Sequence, residues 1–208
     1  MNRALLMIAL SLVAPALAAD EAEATCSQVI LILDPRLDGK KVELMWGSGT
    51  ALVEKNAVLA LRDCSGEIVD REPLPGPLAR LDAQPVRGAP VTTYLVTVDL
   101  TAEAGSYNGP VTQPFEVRGT NLQPVAAHDA TGRTELIRLP LTEKAAWTRV
   151  LVGDTEDLLS VNCQPADEDF VTTYRRFHPT SEGWQLSARK EKGLWESDRG
   201  FPETESFP

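Results

Sequence analysis

Histidine is scarce in this chain. Only His128 and His178 occur among 208 residues, so any mechanism built on an imidazole base has two places to reside. His128 lies in "VAAHDATG" and His178 in "RRFHPT", each beside turn-forming residues. The serine in the least ordinary setting is Ser48 of "WGSGT". Its glycines are adjacent to it, whereas a nucleophile elbow needs them two positions away with a helix to follow. Both histidines are therefore read as loop histidines, and no catalytic residue is assigned.

Basic clusters are also short. The densest is Arg189, Lys190 and Lys192, in a chain with 20 Lys and Arg against 30 Asp and Glu and a formal net charge of −10. Binding to a phosphate backbone needs a basic patch that displaces counterions, so nucleic acid is excluded as a partner. Long apolar runs are missing beyond residue 18, and none approaches the length that spans a bilayer. Stable membrane insertion is not expected once the N-terminal segment is gone. The three cysteines are far apart, with no Cys/His ligand spacing, and no glycine-rich phosphate or dinucleotide fingerprint is present. Neither a metal nor a cofactor is expected.

What is there begins with "MNRALLMIALSLVAPALAAD". Arg3 supplies a positive start, Ala4 to Val13 an apolar core, Pro15 a helix breaker and Ala16-Leu17-Ala18 a small-residue cleavage site. Residues 1–18 are read as a cleaved signal peptide, which places the mature chain in the periplasm or outside the cell. Cleavage removes one positive charge and makes the chain more acidic still. In an oxidising compartment, three cysteines suggest one disulfide and one free thiol. Of three pairings, Cys26–Cys64 is expected, because each lies at a strand end and the loop between them is local. Cys163 is then free.

The rest reads as strand and turn. "QVILILD" (28–34) is a short apolar run of a doubly buried strand. "KVELMW" (41–46), "VTTYLVTVDL" (91–100) and "TELIRLPL" (134–141) read as further strands, and "SGEIVDRE" closes a hairpin across Cys64-Ser65-Gly66. Residues 72–90 hold five prolines and form a loop, with one helical turn at "PLARLD". Pro114 demotes "VTQPFEVRG" to an edge or bulged strand. From residue 145 the pattern becomes a meander, with hairpins at "GDTED" and "TSEG" and a last strand at "GLWES". The expected class is all-β: antiparallel sandwich or barrel-like sheets, with a C-terminal β-meander and an extended, proline-containing tail. Residues 19–133 form the sandwich-like region and 134–208 the meander and tail, packed as one domain or two.

The acidic loops "GDTED" (153–157) and "ADED" (166–169) match no calcium-loop spacing and are read as solvated hairpin tips. Four tryptophans, Trp46, Trp147, Trp184 and Trp195, fill a β core or stack on a ligand. The tail "DRGFPETESFP" carries Phe201 and Phe207, each before a proline. A buried aromatic gains about 1.5–3 kcal/mol, enough for two anchors to offset the ordering of a short arm at about 1–2 kcal/mol per residue. The arm is a strap on its own sheet, or it docks on another protein. Trp195, Phe201, Phe207, Trp184 and His178 are the candidate binding residues. The leading functional expectation is an exported, non-catalytic protein that binds an envelope protein partner, as inhibitor, immunity-type, adhesive or assembly factor. One alternative is a carboxylate-dependent hydrolase of an envelope glycan or other polymer. The other is a structural subunit that pairs through an edge strand or the tail.

Overall fold

The branched apolar run at the start of the described chain forms β1 (Gln28–Ile32), which pairs antiparallel with β2 (Val58–Arg62). The computed structural model describes residues 27–32, 56–99, 105–167, 169–196 and 199–207. The segment 1–18, Cys26, the expected strand at 41–46 and Trp46 lie outside these. β3 (Ile68–Pro73) returns along β2 and completes a first sheet. Next come β4 (Ala79–Leu81), β5 (Thr93–Val98), β6 (Val111–Arg118) and β7 (Asn121–Pro124), which with β10 (Leu139–Pro140) make a second sheet. The third sheet contains β8 (Ala126–His128), β9 (Thr134–Leu136), β11 (Ala145–Val152), β12 (Thr155–Ala166), β13 (Asp169–Thr180) and β14 (Gly183–Lys192). Its order is β11-β12-β13-β14-β8-β9. The protein is all-β, and no α-helix occurs among the described residues.

The sheets stack in layers because two central strands are apolar on both faces. On β5, Val96 and Val98 face the first sheet, where they meet Val29, Leu59, Leu61 and Leu74. Leu95, next to Val96 and so on the opposite face, points to the third sheet and meets Leu158, Phe177 and Trp184. β12 repeats the device. Leu158 points to the second sheet, while Leu159 and Val161 point the other way, into a cluster with Tyr174, Trp195 and Phe207. A strand buried on both sides loses the apolar–polar alternation, which is why Leu158 and Leu159 stand side by side in "DLLSVNC".

Two turns share one chemistry. In "DCSGE", Asp63 Oδ1 accepts from Ser65 N, Ser65 Oγ and Glu67 N at 2.7–2.9 Å. In "DATGR", Asp129 Oδ1 accepts from Thr131 N, Thr131 Oγ1 and Arg133 N at 2.6–3.0 Å. Gly66 (φ 90°) and Gly132 (φ 81°) take the left-handed position that each turn demands. The second turn folds β9 back on β8.

Several elements differ from expectation. Pro114 is internal, since β6 pairs with β5 along one side and with β10 and then β7 along the other. Its carbonyl accepts from Val125 N at 2.9 Å. The N and C=O of one strand residue point to the same side, so the ring nitrogen faces the seam between β10 and β7 and costs β5 no bond. "TELIRLPL" is not one strand but two, with β9 in the third sheet and β10 in the second. "PLARLD" supplies β4 rather than a helical turn, because Ala79 and Leu81 alternate into the core beside β5. "GLWES" is not a strand: past Gly193 (φ 115°) the chain leaves the ladder and crosses the sheet face. One pairing, β14 with β8, is parallel.

Candidate functional site

"GDTED" is not a solvated tip along its whole length. β11 and β12 pair up to Val152↔Thr155, so the turn is only Gly153-Asp154 and Asp157 lies within the strand. The Asp157 side chain is 0% exposed. A buried carboxylate needs partners for both oxygens, and β13 provides them. Leu158 pairs with Phe177, which sets His178 across from Asp157 and puts Arg176 two residues along on the same face. Arg176 Nε donates to Asp157 Oδ2 at 2.5 Å, and His178 Nδ1 donates to Oδ1 at 2.6 Å. The Arg176 and His178 side chains stay partly wet, 21% and 33% exposed.

The same face carries the tail. Trp195 is 1% and Phe207 8% exposed, and both enter the cluster of Leu159, Val161, Cys163 and Tyr174, with Phe201 packed against it. Arg176 Nη1 also donates to the carbonyl of Thr204, 3.4 Å away, in a short 3-10 turn at Thr204–Ser206. Trp195 Nε1 donates to Gly200 O at 3.1 Å. The tail is therefore an intramolecular strap. Burial raises the Tyr174 hydroxyl above its usual range, and the Arg189 guanidinium lies 5.3 Å over its ring.

Of the candidate binding residues, Trp195, Phe201 and Phe207 come together in this one cluster, and His178 sits beside it through Asp157 and Arg176. Trp184 does not join them. It lies on the opposite face, 2% exposed, in the core between the second and third sheets. His178 pairs with Gln185 and Gln185 with His128, so the two histidines share a row across three adjacent strands. His128 Nδ1 hydrogen-bonds Thr134 Oγ1 at 2.8 Å.

Cys163 is buried and free. Its Sγ accepts from Trp195 N at 3.5 Å, and the Gly193 carbonyl lies 3.9 Å away. Glu72 is raised above the ordinary carboxylate range by burial and by the neighbouring Asp70 charge, but it lies on β3, far along the chain from this cluster. Among the described residues no group of three or more His, Cys, Asp or Glu could hold a metal.

The sequence reading missed Asp157 and Arg176. The signal was present in "YRRFHP": positions 176 and 178 are two apart, and on a strand that puts the Arg and His side chains on one face. No protein-family model, no curated protein and no solved structure matches the chain.

Proposed function

We propose that the protein is exported, loses residues 1–18, and acts in the bacterial envelope by binding another envelope protein. Inhibitor, immunity-type, adhesive and assembly roles all fit this reading. The observation that carries it is the commitment of Asp157. The buried acid Asp157 is engaged by both His178 and Arg176, and Arg176 in turn holds the tail. Those groups serve the fold, and edges and exposed side chains are left to meet other molecules. Export also implies an oxidising setting, in which a bridge between Cys26 and Cys64 forms. Cys163 is the thiol left over. Peptide mapping without reductant checks the bridge; a Cys163-containing disulfide contradicts it.

The function is tested by using residues 19–208 as bait in envelope extract, identifying the captured protein and reconstituting the pair from purified components. Saturable one-to-one binding supports the reading. Failure to reconstitute any captured pair, or turnover of an envelope glycan that Asp157→Asn abolishes, contradicts it.

A further inference from the structure

β14 is paired along its whole length on one side only. Its inner side meets β13 from Thr180↔Gly183 to Val171↔Lys192. Its outer side meets β8 at Trp184 and Gln185 alone. The Asp129 turn is the reason, because it reverses the chain after His128 and carries it away into β9. A cleft of ≈ 510 Å³ opens where the two strands part, with His128, Asp129 and Ala130 on one wall and Gln185, Leu186 and Ser187 on the other.

The alternation of an antiparallel ladder fixes which backbone groups face outward. Gly193 N donates to Phe170 O, so 170 and 193 are a hydrogen-bonded pair. Glu191, Arg189, Ser187, Gln185 and Gly183 then also turn their backbone groups inward. Leu186, Ala188, Lys190 and Lys192 turn theirs outward; the Gln185↔His128 pairing uses the Leu186 N–H, so the open edge runs from Ala188 to Lys192, about 13 Å at about 3.3 Å per residue. The side chains of Lys190 and Lys192 are exposed and unpaired among the described residues. Arg175 pairs with Ala188 and so lies on their face, but it is held there by Glu135, 3.3 Å away, which leaves Lys190 and Lys192 as the free cations of this stretch among the described residues. On the other face Arg189 is held by Glu191 at 2.9 Å. In a chain of net charge −10 this stretch is a local reversal of sign.

We propose that the β14 edge from Ala188 to Lys192 accepts an extended, acidic segment of the partner as an added strand. This deepens the binding function and rests on it. Backbone groups of the partner would complete the ladder, and its Asp or Glu side chains would oppose Lys190 and Lys192. A second copy of this chain is a poor occupant, because its β14 would set lysine near lysine. Lysines on an open edge discourage indiscriminate pairing and leave acidic strands favoured.

The test uses the full mature chain and synthetic eight-residue peptides that alternate Glu with Val, Thr or Tyr. Control peptides carry Lys in place of Glu. The acidic peptides are expected to bind saturably, at least tenfold tighter than the controls, and to slow amide exchange at Ala188, Lys190 and Lys192. Ala188→Pro removes one outward donor and spares the bonds to β13; it should weaken binding tenfold or more. The double change Lys190→Glu with Lys192→Glu should reverse the preference between peptide sets. Unslowed exchange with the acidic peptides, or equal binding by Ala188→Pro, overturns the proposal. So does concentration-dependent dimerisation that protects the same amides and is lost in Ala188→Pro, since the occupant is then a second copy. If the captured envelope protein binds both edge variants as tightly as the native chain, the edge assignment falls and the binding function stands. If no partner can be reconstituted while the acidic peptides still protect β14, the proposed function falls and the edge remains an acceptor of acidic strands.

Discussion

The Arg176 guanidinium lies 2.5 Å from the fully buried carboxylate of Asp157. A charge taken out of water is tolerated when it is matched, and removing one partner of a buried pair costs about 3–5 kcal/mol. Arg176 keeps some contact with solvent, so Arg176→Met should cost less, about 2–3 kcal/mol. Asp157→Asn also loses the charge match. In the double variant neither charge is stranded, so its destabilisation should fall at least about 1 kcal/mol short of the summed single effects. Urea unfolding of the four proteins measures this; strict additivity means that the pair is not coupled.

The paired Asp63 and Asp129 turns predict a pH effect. Both carboxyls titrate below their ordinary value, chiefly because the Ser65 and Thr131 hydroxyls donate to the charged form. A carboxylate depressed in the folded state favours folding above its unfolded pKa, about 4. That contribution fades as pH falls further, through the folded value. Asp63→Asn with Asp129→Asn should therefore flatten the acid limb of the stability–pH curve below about pH 4 and leave its slope near neutrality unchanged. Thermal midpoints at steps across the acid range check it; an acid limb of unchanged steepness would contradict it.

Gly88 predicts a steric limit. Its φ is +73°, and a Cβ placed there would lie 2.8 Å from Thr155 Cα. The neighbouring bonds, Glu156 N to Arg87 O at 2.9 Å and Arg87 N to Glu156 Oε2 at 3.0 Å, hold the proline-rich loop against β12. Gly88→Ala meets both strain and a backbone clash, so it should destabilise by about 2 kcal/mol or more. An alanine variant as stable as the parent would show that the loop is not held there.

The strand architecture was legible because period-two patterns and Gly/Pro turns are local signals. The hairpins at Cys64-Ser65-Gly66 and Ser181-Glu182 are written in the residues that form them. What was not legible depends on neighbours distant in sequence. Pro114 sits inside a sheet because its missing donor faces a seam between two other strands. Asp157 reads as part of an acidic tip until Arg176 and His178, about twenty residues later, are seen opposite it. The tail's aromatics were visible as anchors, but not which face they would cover. The open edge of β14 depends on where the Asp129 turn diverts β8, and only pairing reveals that.

The hold of the tail is the most directly measurable part of this account. Cys163 is wholly buried, accepts from Trp195 N and shares one apolar cluster with Phe207, so its thiol reports whether the strap is closed. The measurement is the rate at which a water-soluble disulfide reagent modifies Cys163 in native residues 19–208, in Phe207→Ala, and in a chain lacking residues 197–208. With β-type circular dichroism retained, modification should be slow in the native chain, at least about tenfold faster in Phe207→Ala and faster again in the truncated chain, since removing a buried aromatic from a closed contact costs roughly 3 kcal/mol. Equal rates in all three proteins would contradict the strap.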